Sequence, residues 1–293
     1  MAWLLTCLHL TDISAFTDFK VCFVSSSSMT NNRIAKTFKG LLAIAMNPWL
    51  LNHVLADNTL WEKEVAKKYK IKSLPVVDIN ELLPGFKEEL STFAFLEGGS
   101  LPSDLALIRG LCKTVEGCKF FEIGTCRGES VVNVADICKM CYTLDLDPKN
   151  IADEAESKTI AFFSKGNKDI KQLYGDSRTF DYAGLNQKFD VMFIDGDHHY
   201  EFVKGDTENV FKHLVHDKSI VIWHDYGYDP VTPRFEVLSG ILDGIPSHLK
   251  KNLYHVSNTM CAIYINKVLP TKELSEARIP NKKFNIKIES RPL

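Results

Sequence analysis

From Lys119 onward the chain alternates between short apolar runs and longer segments with a helical apolar period. The runs KFFEIG, CYTLDL, IKQLYGDS, FDVMFIDG, SIVIWHD, LYHVS and CAIYIN predict seven strands. Helices are predicted over 129–139, 149–165 and 200–215. This is the α/β pattern of strand, crossover helix and next strand. Upstream, 29–55 reads as helical, with Thr30 or Asn31 as its cap, and NTLWEKEVAKKYK as a second helix capped by Asn58. SLPVVDINELLPGF, held by two prolines, reads as extended or looped. Gly98, Gly99 and Pro102 predict a loop, followed by a helix that Ser103 or Asp104 caps and that ends near Thr114. The expected divisions are therefore an N-terminal segment 1–28, a helical cap and lid region 29–114, a core 115–270 and a polar tail 271–293. The first segment reads either as a poorly ordered leader to a start at Met29 or as an extra strand. The tail holds one predicted edge strand, KFNIKI.

Composition changes this picture little. At 293 residues, 45% apolar and 25% charged, the chain has room for one large domain or a domain with an appendage. Its net charge of −2 gives no reason to expect nucleic acid or a membrane surface as partner. No apolar run reaches the ~20 residues that span a bilayer. MAWLLTCLHLTD lacks the basic region and cleavage site of a signal peptide. The eight cysteines lie scattered in apolar segments of a chain too large to need staples, so reduced thiols in a cytoplasmic protein are expected. Cys138 and Cys141 form a CxxC with no second ligand pair at zinc-site spacing, which favours core packing.

The chemistry begins in FFEIGTCRGESVVNVADICKMCYTLDLDP, residues 120–148. A dinucleotide fingerprint would need glycines at relative positions one, three and six. Counted from Gly124, these positions hold Cys126 and Glu129, and a carboxylate at the helix start would repel phosphates. No Gly-Lys-Ser/Thr follows, which excludes a phosphate-binding P-loop. The observed order is Glu122, Gly124, Thr125, Gly128, and it suits a nucleoside without phosphates. Gly124 allows the turn after the strand, and Gly128 allows close approach at the helix start. Asp145, at the end of the next strand, is placed to accept both ribose hydroxyls. Asp176 and Ser177, after the third strand, are placed to bond an adenine amino group.

On these residues, 120–266 resembles the class I S-adenosylmethionine-dependent methyltransferases. The resemblance implies a doubly wound, mostly parallel seven-stranded sheet of Rossmann-like methyltransferase fold, with an antiparallel last strand and an N-terminal helical cap over the cofactor. It implies S-adenosyl-L-methionine as cofactor, held by Glu122, Gly124, Thr125, Gly128, Asp145, Asp176, Ser177 and Asp195. Cys126 departs from the many members that carry a third glycine there.

The fourth and fifth strands end in FIDGDHHYE and VIWHDYGYD. Ligands of open parallel sheets sit beyond the strands' carboxyl ends, so Asp195, Asp197, His198, His199, His224 and Asp225 should gather beside the cofactor. Carboxylates on adjacent strands can hold Mg2+ or Mn2+ and lower the pKa of a bound hydroxyl, whose proton a nearby histidine can take. The DGDHHYE…WHDY pair resembles the metal-dependent branch that includes sugar O-methyltransferases of macrolide biosynthesis. Carried over by position, that resemblance makes Asp195 and Asp225 ligands, leaves His224 as a questionable third, and makes His198 the base. Asp197 and Tyr200 read as helix-opening residues and His199 as structural. The loops FLEGGSLPSD and YGYDPVTPRFEV read as a candidate lid and as a wall of the acceptor pocket.

The expected function is methyl transfer from S-adenosylmethionine to an oxygen of a small molecule or sugar. N-terminal helices that pair subunits in such enzymes also admit a homodimer. The rivals are a metal-independent N-methyltransferase and a non-catalytic cofactor-binding partner subunit.

Overall fold

All seven predicted runs become strands of one sheet, and an eighth joins them at its edge. The computed structural model describes residues 29–48, 58–96, 98–274 and 280–292. The reading of residues 1–28 lies outside the described residues. The chain divides into two compact units, Met1–Ala56 and Asp57–Leu293. The first contributes helix α1 (Met29–Met46).

In the second unit the strands are β1 (Val76–Val77), β2 (Lys119–Ile123), β3 (Met140–Asp145), β4 (Ile170–Tyr174), β5 (Val191–Ile194), β6 (Ile220–Trp223), β7 (Gly227–Asp229), β8 (Thr232–Pro233), β9 (Leu253–Val256) and β10 (Ala262–Ile265). The main sheet runs β1-β9-β10-β6-β5-β2-β3-β4. The β3–β2, β2–β5, β3–β4 and β5–β6 pairs are parallel, while β10 is antiparallel to both β6 and β9. The chain winds from β2 out to β4 and then returns to the other side of β2, so the winding reverses between β2 and β5. An open α/β sheet has its crevice at such a reversal.

Successive strand residues point to opposite faces, and both faces are covered. Phe121, Ile123, Met192, Ile194, Val221 and Trp223 belong to one apolar cluster. Phe120, Val191, Phe193, Ile220 and Ile222 belong to the other. Helices α2 (Asn58–Tyr69), α3 (Ile79–Leu82), α4 (Pro102–Lys113), α5 (Glu129–Ala135), α6 (Glu154–Thr159), α7 (Tyr200–His213) and α8 (Phe235–Gly244) form the outer layers. Val203, Val210, Leu238 and Ile241 carry α7 and α8 into the first cluster, whereas Leu107, Ile108, Val131 and Val134 carry α4 and α5 into the second.

The differences from the sequence reading are local. Part of the stretch read as extended or looped becomes β1, parallel to β9, and the outer edge of β1 is bridged to Lys272. KFNIKI is not a strand; the tail is fastened instead by Lys282, which bonds Asp78 and Ser257. The helix predicted over 149–165 breaks into a short turn and α6, and α6 ends before Ala161, which takes φ 59°. Its amide and that of Phe163 then donate to the carbonyls of Cys126 and Arg127, at 2.6 and 2.8 Å. The cap of α4 is Leu101 rather than Ser103 or Asp104; Asp104 stands three residues in and accepts from the Leu101 amide at 2.8 Å.

Candidate active site

The glycine turn and two acid-bearing strand ends meet where the winding reverses. Gly124 leaves β2 with φ 94°, and a Cβ there would lie 2.0 Å from the Asp195 carbonyl oxygen. Only glycine lets these two strand ends cross so closely. Gly128, at φ 82°, caps α5, and a Cβ there would lie 2.7 Å from Ser164 Oγ. The close neighbour that Gly128 admits is thus Ser164, a use the spacing did not reveal. Between them Cys126, at φ 45°, takes the left-handed conformation that glycine adopts without strain.

Glu122 lies fully buried beneath this turn. Its carboxyl accepts from Ser130 on α5 and from Thr143 on β3, the latter at 2.5 Å. Burial pushes its pKa up to about 8, against the opposing effect of those two bonds. Glu122 therefore ties β2, β3 and α5 together under the site. Thr125 is likewise buried; its hydroxyl bonds Thr143 Oγ1 at 2.6 Å and accepts from Gln172 at 2.9 Å. Thr143 is a functional support that sequence reasoning passed over, though a threonine inside the apolar run CYTLDL was a visible sign of a buried polar contact.

Asp145 accepts from the amides of Cys126 (2.8 Å) and Leu146 (2.7 Å), one on each oxygen. Burial raises its pKa. Asp176 has an internal partner: Arg178 grips it through its amide, Nε and a terminal nitrogen, at 3.0, 3.1 and 2.7 Å. That pairing holds its pKa low. The Ser177 carbonyl accepts from Asn209 on α7 at 3.3 Å.

On the other side of Gly124, Asp195, His224 and Asp225 present ligand atoms within 4.8 Å of one another. His224 is buried, with Nδ1 3.0 Å from both Asp195 and Asp225 and Nε2 3.1 Å from Asp104. Burial opposes a charge on His224, but Asp195 and the hydrogen bonds to three carboxylates raise its pKa well above the usual value. Asp195 is raised chiefly by burial, whereas in Asp225 burial is opposed by His224, His198 and Arg234 together and the net shift is downward. Asp104 reaches this group from α4 and also accepts from the Met260 amide at 2.9 Å, so the residue read as a cap braces the site. Nothing in its local sequence marks that use.

His198 Nδ1 lies 3.2 Å from Asp225 Oδ2, with the ring partly exposed. Asp197 accepts from the His199 amide at 2.8 Å and pairs with its ring; α7 opens at Tyr200 as expected, but its cap is His199 rather than Asp197. Past Asp225 the β7–β8 hairpin carries Tyr228, with the Arg234 guanidinium 5.4 Å from its ring centre. Asn58, at the start of α2, accepts from the Phe235 amide at 2.7 Å and donates to the Pro233 carbonyl at 3.0 Å, which fixes the far end of this loop. The loop before α4 is tied to α5 by Asn133, which accepts from Ser91 at 2.8 Å, and by Glu129, which accepts from Ala94 at 2.6 Å. Glu129, which would have repelled phosphates, is thereby engaged with the loop and with Arg127. Phe95 and Leu96 beyond these ties are exposed.

Residues 121–226 match the family described as a methyltransferase domain. No curated protein matches the chain. Among solved structures, an SAH-bound methyltransferase from Podospora anserina is 17% identical, with 60% of this chain and 84% of that chain covered at a TM-score of 0.42. CalS11, a TDP-rhamnose 3'-O-methyltransferase of calicheamicin biosynthesis, is 15% identical over 56% of this chain and 79% of its own, TM-score 0.41. MycE, a methyltransferase of the mycinamycin pathway in complex with Mg and SAH, is 18% identical over 65% and 54%, TM-score 0.37. At these identities and scores the three likenesses carry no argument about chemistry. The domain match runs from within β2 to just past β6 and takes in the glycine turn, Asp195, His224 and Asp225. Among the described residues no helix is long and apolar enough to cross a membrane.

Proposed function

We propose that the chain transfers the methyl group of S-adenosylmethionine to an oxygen of a small molecule or sugar, with His198 as the base. The observation that carries this reading is the contact between His198 and Asp225 at the edge of the cofactor crevice. Asp225 orients the ring through Nδ1, which leaves Nε2 to take a proton from an acceptor hydroxyl. The sulfonium is intrinsically reactive, so the chain's part is to align donor and acceptor and to remove that proton. Asp145 supports the ribose end of the cofactor through its carboxylate oxygens.

The donor set fits a divalent cation. Asp195, His224 and Asp225 would hold it, and Asp104 on Nε2 is the carboxylate partner that orients a ligating imidazole. A bound cation would polarise the acceptor hydroxyl. Its charge would also replace the Nδ1 proton that a charged His224 directs at Asp195 and Asp225. Tyr228 and Arg234 on and beside the hairpin supply an aromatic face and a cation for the acceptor's remainder.

Calorimetric titration of the purified chain with S-adenosylmethionine and with NAD tests the cofactor. Transfer of labelled methyl to a panel of hydroxylated and amino acceptors, with and without EDTA, tests the rest. Binding of NAD alone would overturn the reading at its first step, and transfer only to amines would overturn the acceptor.

A further inference from the structure

No Asp or Glu lies between Asp18 and Asp57, whereas Lys20, Arg33, Lys36 and Lys39 do. The chain as a whole is −2, so this basic stretch is set against an acidic remainder. An expectation of no membrane partner that rests on the total charge averages over this segment. Within the stretch, α1 is an 18-residue helix. At about 100° per residue, Phe38, Leu41, Leu42 and Ala45 share one side of it. Arg33, Lys36 and Lys39 occupy the other side and its borders. Phe38, Leu41, Leu42 and Met46 are each more than half exposed.

We propose that α1 lies on an anionic lipid surface, with Phe38, Leu41 and Leu42 in the acyl boundary and Arg33, Lys36 and Lys39 at the headgroups. Charge complementarity selects this occupant. Cations bordering an apolar side, with no acid among them, match a plane of negative headgroups at any register. Lysine and arginine stems can lie along the apolar boundary while their heads reach water. A second copy of α1 would bring three more cations and no acid to the same place. The helix is also too short in apolar content to span the bilayer, which leaves it lying along the surface. The inference stands apart from the methyl-transfer reading, since a bound surface helix would localise the chain whatever its acceptor.

The test is co-sedimentation of the full chain with phosphatidylcholine vesicles that contain or lack phosphatidylserine. Binding is expected only with phosphatidylserine and should weaken as salt is raised. K36Q with K39Q should lower the apparent affinity about 30-fold. F38E with L42E should abolish binding, with the melting transition of the core as the control for folding. Equal sedimentation with both vesicle types, or none with either, would overturn the proposal. So would K36Q/K39Q binding as tightly as the parent chain, or a concentration-dependent dimer in light scattering that F38E/L42E disperses.

Discussion

Asp104 and His224 are 120 residues apart in the chain and meet at 3.1 Å, carboxylate to Nε2, where both are buried. The contact joins a helix that precedes the core to the end of β6. It leaves His224 Nδ1 facing Asp195 and Asp225. A carboxylate behind an imidazole sets which nitrogen carries the proton and which is offered forward.

Asp104→Asn should therefore disturb the forward side of His224 without touching it. Divalent affinity, followed by Mn2+ paramagnetic resonance on the purified chain, is expected to fall about 10- to 100-fold. The melting temperature should fall as well, because a buried partner is removed. Unchanged Mn2+ binding would show that Asp104 braces the fold only.

His198→Gln should lower kcat/KM for a hydroxyl acceptor by about 10^2- to 10^4-fold, with the S-adenosylhomocysteine Kd unchanged. Asp225→Asn is the companion. Asn tolerates the left-handed φ of 52° that Asp225 adopts, so the backbone should keep its course while the ring of His198 loses its anionic partner. Equal loss of cofactor affinity in both variants would place these residues in cofactor binding instead.

Glu122 predicts a pH dependence of stability. Its folded pKa of about 8 stands above the ordinary carboxyl value of 4.5, so over this window the folded state holds a proton that the unfolded state has released. Stability therefore falls as pH rises, by at most ~1.4 kcal/mol per pH unit from this one group. Denaturant midpoints between pH 5 and 8 should show the decline, and Glu122→Gln should flatten it. A Glu122→Gln variant with the parent's slope would assign the dependence to other groups.

Gly124→Ala should be among the most damaging single changes in the core. The added carbon would lie 2.0 Å from the Asp195 carbonyl, and the φ of 94° is closed to alanine. A loss of more than ~4 kcal/mol is expected, seen as failure to accumulate or a large drop in melting temperature. A near-normal melting curve would mean that β2 and β5 can part at little cost.

Much of the fold was legible because local pattern and burial agree. A parallel strand covered on both faces must be apolar throughout, so VMFI and IVIW could be little else. Polar strand ends such as DGDHH and HDY gather at one edge by topology alone. The uses of individual side chains were less legible. The Asp176 carboxylate is held by Arg178, Gly128 makes room for Ser164, and Glu122 works beneath the site through Ser130 and Thr143. Each depends on a neighbour that one-dimensional spacing does not register.

By itself, then, the order of residues determined the alternating sheet, the glycine turn and the acid-and-imidazole rim, since these follow from periodicity, backbone freedom and strand direction. Only the tertiary structure decided that α4 sends Asp104 behind His224, that Ala161 and Phe163 break a helix to bond the glycine turn, and that β1 extends the sheet. In each case a long-range hydrogen bond, satisfied only when distant segments pack, outweighed the local preference of the segment that makes it.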